Sequence, residues 1–241
     1  DAPASAETFI IDNIQPEMVN GTSSGGTGTA GTVKIGDDAI FAVTFDEPVI
    51  NVEANNFAVT GGSIASVVAS AAGSDGFSDQ WTVTVTPSAD IEGNISLVLD
   101  TAGSIADRAD NSVYIDAGSA TIIAVDTLAP TAPTVSITNP SSQNVSAVNE
   151  QDMVAGLVIS GTKEAGSSID INFASDSHTI NIAADDTTTW SHDIATGEMQ
   201  TLISAIGQGV EESSISYVVT ATDAAGNTSS TNATIGVDTI D

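Results

Sequence analysis

Short runs in which bulky apolar residues alternate with small polar ones recur along the whole chain. Residues 81–86 alternate Trp or Val with Thr and stop at Pro87, and residues 39–45 form a β-rich run that stops at Asp46, Glu47 and Pro48. Similar runs follow at residues 95–99, 120–125, 134–138, 157–161, 169–173, 178–182, 189–194, 215–222 and 233–237. Alternation with a period of two, broken by turn residues about every eight to twelve positions, predicts an all-β fold of sandwiches. Residues 197–207 are the one predicted helix, and the glycine-rich residues 21–31 are predicted to be a loop.

The chain also repeats itself. Asp126 to Pro130 matches Asp12 to Pro16, and 114 residues separate Asp12 from Asp126 while 112 separate Asp126 from Asp238. Residues 107–111 match residues 223–227 on the same period. A fixed period indicates tandem modules. We therefore predict two Ig-like domains joined end to end, residues 1–125 with a first strand near 8–16, and residues 126–241 with a linker at 126–133. We expect them to belong to a longer array.

Charge and cysteine usage restrict the partners and the chemistry. The chain has 32 acidic and three basic residues, and its formal net charge is −29. Such a surface repels nucleic acid and anionic membranes and attracts cations, so we expect neither nucleic acid binding nor membrane insertion. The chain has no cysteine, which excludes disulfides and thiolate sites. The fragment is expected to be monomeric.

Acidic side chains recur at positions that an Ig-like order brings to one end of each sandwich, where the B–C loop, the F–G loop and the start of strand A meet. In the second module these are Asp126, Glu164, Asp223 and Asn227, and in the first module they are Asp12, Asn13, Asp46, Glu47, Asp107 and Asp110. Oxygen ligands in irregular loops suit calcium, which takes six to eight of them, whereas magnesium demands octahedral geometry. The alternative is that these acids are ordinary solvated turn residues.

The sequence gives little support for catalytic residues. His178 and His192 lie on predicted strands, and no nucleophile elbow, phosphate loop or dinucleotide fingerprint accompanies them. We therefore predict that the chain is not an enzyme.

Several motifs resemble bacterial Ig-like repeats. They are residues 125–130, 160–166, 189–191 and 221–228 in the second module, and residues 43–49 and 57–62 in the more divergent first module. Such repeats form the extender regions of giant RTX-type adhesins. The resemblance implies a stalk at the bacterial surface, exported by type I secretion, in which calcium at the linkers between neighbouring repeats stiffens the chain for cell adhesion or biofilm formation.

The function expected from the sequence is thus that of a calcium-dependent structural spacer. The alternatives are a carbohydrate-binding module of a secreted protein, or an accessory domain of a secreted hydrolase. A sugar-binding surface needs exposed aromatic rings, and the chain has only two Trp and two Tyr residues. This composition favours the spacer.

Overall fold

The computed structural model describes most of the chain and divides it into two compact units, Asp1–Leu128 and Ala129–Asp241. The division falls three residues after the boundary expected from the sequence. The described residues are 11–25, 31–116, 120–138, 147–148, 156–173, 179–195, 197–198 and 213–237.

The first unit is a sandwich of two antiparallel sheets. Its strands are β1 Met18–Gly25, β2 Ala39–Val49, β3 Phe57–Thr60, β4 Gly62–Ala69, β5 Ser78–Pro87, β6 Glu92–Leu99 and β7 Thr121–Asp126. One sheet has the order β1-β2-β5-β4 and the other β3-β6-β7. With the strands lettered A to G, these are the A-B-E-D and C-F-G sheets of a constant-type immunoglobulin domain.

The second unit has the same plan with a different division of strands. Its described strands are β8 Ser136–Thr138, β9 Ala147–Val148, β10 Leu157–Thr162, β11 Ser168–Phe173, β12 Thr179–Ile182, β13 Thr189–Ile194, β14 Ser213–Thr222 and β15 Thr228–Val237. They form the sheets β13-β10-β8 and β12-β11-β14-β15-β9. In the second unit β12 therefore joins the sheet of β11 and β14. In the first unit the corresponding strand, β4, joins the sheet of β2 and β5 instead. The prediction of an all-β fold is confirmed.

Alternation places the apolar half of each strand inside. Along β5, Trp81, Val83 and Val85 are buried, while the threonines between them face outwards. In the second unit Trp190 is buried with Ile159 and Ile171 in one continuous cluster. Each unit thus has its own core, built mainly from Val, Ile and Leu.

The first strand was predicted wrongly. Residues 11–16 have no strand, and β1 begins at Met18 and uses part of the glycine-rich stretch predicted as a loop. The Asp12 carboxylate accepts the N–H of Ile14 at 3.1 Å and so forms a turn, and Pro16 has no N–H to give to a sheet. Ile11 and Ile14 are exposed rather than packed in the core.

The predicted helix at residues 197–207 lies outside the described residues except for Gly197 and Glu198, and His178 also lies outside them. Within the described part of the chain, no helix has the length and apolar character to cross a membrane.

Candidate functional site

Residues 107–111, which lie between β6 and β7, form a loop that the side chain of Asp107 closes. The buried Asp107 accepts, through Oδ1, hydrogen bonds from the backbone N–H groups of Ala109 at 2.7 Å and Asn111 at 2.9 Å. Its Oδ2 accepts another from Nδ2 of Asn111 at 2.8 Å. The backbone N–H of Asp107 also donates to the carbonyl of Asn111 at 3.1 Å. Aspartate at the first position and asparagine at the fifth therefore hold each other in place.

The loop between β14 and β15 is closed in the same way. Oδ1 of Asp223 accepts the N–H groups of Gly226 at 2.7 Å and Asn227 at 2.9 Å, and Oδ2 accepts Nδ2 of Asn227 at 3.0 Å. The fourth residue has a left-handed backbone in both loops, with φ 92° at Gly226 and 66° at Asp110. Aspartate tolerates this conformation better than most residues. The replacement of glycine by Asp110 therefore leaves the loop closure intact.

An irregularity at the end of β2 brings Glu47 to the Asp107 loop. The register between β2 and β5 shifts between Thr44 and Val49. Beyond this shift, the N–H of Ile50 donates to the carbonyl of Ala106 at 3.0 Å. Because Ala106 directly precedes Asp107, this bulge carries the end of β2 to the loop, as bulges beside functional sites often do.

The segment before β1 reaches the same place. The N–H of Tyr114 donates to the carbonyl of Pro16 at 2.8 Å, and Nδ2 of Asn111 lies 3.3 Å from the carbonyl oxygen of Asp12, to which it donates. Asp12 is therefore fixed against the loop that Asp107 closes, by contacts that pair residues about a hundred positions apart in the sequence.

These three elements bring together the carboxylates of Asp12, Glu47 and Asp107. One oxygen of each lies within 4.8 Å of the others. Asp12 is exposed, Glu47 is half-buried and Asp107 is buried. Burial raises the pKa of Glu47, and the negative charges of Asp107, Asp12 and Asp46 raise it further. Like charges at this spacing repel one another, so a cation among them would be favourable.

The pKa of Asp107 moves in the other direction. Burial alone would raise it, but the hydrogen bonds from the side chain and backbone of Asn111 and from the N–H of Ala109 outweigh burial and lower the pKa. Asp107 therefore stays ionised. Its Oδ1 accepts two backbone N–H groups and its Oδ2 accepts one side-chain amide.

The other first-module residues predicted as ligands lie outside this group of three. Oδ1 of Asp46 accepts the N–H of Glu17 at 2.8 Å and so holds the start of β1 against the end of β2. Asn13 and Asp110 are exposed. Asp46 therefore affects the site because its negative charge raises the pKa of Glu47. Asp110 contributes only its left-handed backbone to the loop that Asp107 closes.

The second predicted set is divided between the units. Asp126 ends β7 in the first unit, where its Oδ1 accepts the N–H of Leu128 at 3.1 Å, as Asp12 does for Ile14. Glu164 belongs to the second unit, and its Oε2 accepts the N–H of Thr131 at 2.9 Å. Within the described residues of the second unit, no three acidic or histidine side chains form a group like that of Asp12, Glu47 and Asp107.

Two of the basic residues have structural partners that the sequence did not reveal. Lys163, which follows β10, is buried and forms a salt bridge with Asp185 at 2.8 Å. Arg108 pairs with Asp75 and lies over the ring of Phe77, with 4.7 Å between its Cζ and the ring centroid. Both contacts join loops that are far apart in sequence, and no local pattern marks them.

The two Trp side chains are core residues. Trp81 is 8% exposed and Trp190 is 4% exposed. Their indole N–H groups donate to the carbonyls of Ser78 and Thr162, at 3.0 and 3.2 Å. Neither ring is available as a flat platform for a sugar.

Residues 27–125 match the family model described as a bacterial Ig-like domain. The resemblance to bacterial Ig-like domains is confirmed. The match lies inside the first unit and covers less than half of the chain. A search of curated proteins found no match.

Solved structures with distant similarity include three bacterial adhesion proteins. A 1.5-MDa bacterial ice-binding adhesin is 16% identical, with 94% of this chain and 67% of that chain covered and a TM-score of 0.38. The adhesin InvE of Yersinia pseudotuberculosis is 14% identical, with 90% and 58% covered and a TM-score of 0.29. A tetra-tandem repeat from the extending region of a large adhesion protein is 17% identical, with 91% and 49% covered and a TM-score of 0.30. Similarity at this level carries no argument about function.

Proposed function

We propose that this chain is a structural spacer from a bacterial surface adhesin, in which Ig-like units bind calcium at their ends. The family match of the first unit supports a module of this kind. The repeated linker turn, at Asp12 and again at Asp126, supports an array in which neighbouring repeats are the partners. The protein would act outside the cell after type I secretion, and it would not be an enzyme.

The observation that carries the calcium proposal is the meeting of Asp12, Glu47 and Asp107 at one end of the first unit. Their oxygens lie within 4.8 Å of one another, and they come from a turn, a bulge and a loop rather than from regular strands. Calcium accepts such irregular sets of oxygens, with carbonyls and water completing the shell. Without a cation, three carboxylates in this arrangement destabilise the folded unit by mutual repulsion.

Thermal unfolding of the intact chain tests this proposal. A Trp190→Phe variant leaves Trp81 as the only Trp, so its fluorescence reports on the first unit. One calcium site that exists only in the folded state adds about 2.7 kcal/mol at 100 times its dissociation constant. We expect the melting temperature to rise with calcium over EDTA at fixed ionic strength. An equal rise with magnesium or sodium would reduce the effect to charge screening.

The Glu47→Gln variant distinguishes a specific calcium site from an effect of the overall negative charge. This change removes one repelling charge and one ligand, so it should raise the melting temperature in EDTA and weaken the response to calcium. Glu92→Gln is the matched control, because Glu92 is an exposed residue at the start of β6 and lies outside the group of three. If both variants responded to calcium as the parent does, the site would be assigned wrongly.

The linker is the second place at which we propose calcium, held by Asp126, Glu164 and Asp223 with Asn227 nearby. The proposal rests on their repeat relationship to Asp12, Glu47 and Asp107. Small-angle scattering tests it: calcium should narrow the distribution of sizes, and Asp126→Ala should keep the distribution seen in EDTA. Identical curves with and without calcium would reject calcium-controlled stiffness and leave the site of the first unit untouched.

A further inference from the structure

The ammonium group of Lys163 lies inside a cage of oxygens. Its Nζ donates to Oδ1 of Asp185 at 2.8 Å, to the carbonyls of Asp185 and Thr187 at 3.0 Å each, and to the carbonyl of Glu164 at 3.4 Å. The side chain of Lys163 is 1% exposed. Three carbonyl oxygens and one carboxylate oxygen around a single positive charge are the ligands that a hard cation takes in an irregular loop site.

The cage joins two loops of the second unit. Three of its oxygens belong to the loop between β12 and β13, and Lys163 begins the loop between β10 and β11. Backbone hydrogen bonds run alongside, from the N–H of Lys163 to the carbonyl of Thr188 and from Gly166 to that of Asp185. The side chain of Asp185 is 54% exposed, and its Oδ1 also accepts the N–H and the hydroxyl of Thr187. Removal of the ammonium would therefore cost mainly the charged hydrogen bonds that the buried lysine makes between the two loops.

We propose that this cage is a cation site whose occupant is the chain's own lysine, so that the ammonium of Lys163 links these two loops of the second unit as a bound ion would. The group in the first unit consists of three carboxylates, those of Asp12, Glu47 and Asp107. At the Lys163 cage, by contrast, the positive charge is part of the chain itself. The inference does not depend on whether the first unit binds calcium.

A small cation from solution could reach the cage if the lysine were shortened. A cleft of about 580 Å³ is lined by Lys163, Asp185, Thr187 and Trp190 among others. Ammonium and potassium ions are close in size to the lysine ammonium, whereas tetramethylammonium is much larger and cannot donate hydrogen bonds. Truncation should therefore convert a built-in cation into an exchangeable one.

The experiment uses the intact chain with Trp81→Phe, so that Trp190 fluorescence reports on the second unit. Trp190 is a neighbour of the cage, since its indole N–H donates to the carbonyl of Thr162. Lys163→Ala should lower the melting temperature of this unit by roughly 10 °C or more. Ammonium or potassium chloride should restore part of the loss, in a saturating manner, while tetramethylammonium chloride at equal ionic strength should not.

Two further variants keep the test decisive. Lys163→Met fills the space of the alkyl chain without a charge, so it should be destabilised and insensitive to ammonium. Lys34→Ala, which removes a basic residue of the first unit, should leave the Trp190 transition unchanged. If Lys163→Ala is unfolded in tetramethylammonium, the same comparison is made on the recovery of folded signal in ammonium. Wild-type stability in Lys163→Met, or equal effects of the small and large cations on Lys163→Ala, would overturn the proposal.

Discussion

Replacement of Asp223 by alanine would show whether the repeated loop is held by its own hydrogen bonds or by an ion. The carboxylate of Asp223 accepts the N–H groups of Gly226 and Asn227 and the side-chain amide of Asn227, at 2.7 to 3.0 Å. Alanine removes both acceptor oxygens and therefore all three hydrogen bonds. The second unit should therefore lose stability even in the absence of any metal.

The size of the loss in stability depends on how deeply Asp223 and Asn227 are buried. A hydrogen bond to a charged group contributes about 1.5–3 kcal/mol, and such terms are not additive. Asp223 is half-buried, so water can replace part of what is lost, but Asn227 is 2% exposed and its backbone N–H and side-chain amide would each lose a hydrogen bond to a charged acceptor. We expect the free energy of unfolding of the second unit to fall by about 3 kcal/mol, which corresponds to roughly 12 °C in melting temperature for a unit of this size.

The assay is chemical denaturation in EDTA of a chain that also carries Trp81→Phe, followed by Trp190 fluorescence. Asp223→Asn keeps one oxygen for the two backbone N–H groups and should lose about half as much. Asp193→Ala removes an exposed aspartate on β13 and should change stability by less than about 0.5 kcal/mol. The reasoning would be refuted if Asp223→Ala matched Asp193→Ala in EDTA and lost stability only relative to the calcium-loaded parent.

Three further predictions concern single side chains. Gly161→Ala should prevent normal folding of the second unit, judged by circular dichroism, because a Cβ would lie 1.8 Å from the carbonyl oxygen of Thr134. The pKa of Asp185 is lowered to about 2, first by its hydrogen bond with a lysine ammonium. Its contribution is therefore present above about pH 4 and is lost as the pH falls towards 2, and Asp185→Asn should flatten stability over that window in acid titrations. Arg108→Ala removes an exposed ion pair with Asp75, so urea denaturation should show a loss of no more than about 1 kcal/mol.

The sequence predicts the strands well because burial and alternation coincide in them. Residues 81–86 and 189–194 were predicted as strands, and β5 and β13 contain them with Trp81 and Trp190 buried as expected. The loops at residues 107–111 and 223–227 were also recognisable as equivalent, because their closure depends on two residue types at fixed spacing. Such patterns can be interpreted from neighbouring residues alone, without knowledge of contacts between distant segments.

The features that the sequence could not reveal depend on contacts between distant segments. Glu47 meets Asp107 because β2 bulges before Val49, and nothing in the residues near Glu47 requires that bulge. Lys163 stands next to Glu164 in a turn, where a lysine is ordinarily solvated. Its burial becomes intelligible only when the loop that carries Asp185 is placed beside it. The first strand was predicted near residues 8–16, but Ile11 and Ile14 face solvent and residues 11–16 have no strand.

The shared left-handed residue of the two loops bears on how such repeats are recognised and how they diverge. Gly226 and Asp110 fulfil one backbone requirement with different side chains. The position therefore tolerates drift among glycine, asparagine and aspartate, whereas the first and fifth positions do not, because their side chains make the closing hydrogen bonds. A search pattern that demands glycine there would pass over the first unit. One that demands aspartate and asparagine four residues apart, with a residue tolerant of positive φ directly before the asparagine, would find both.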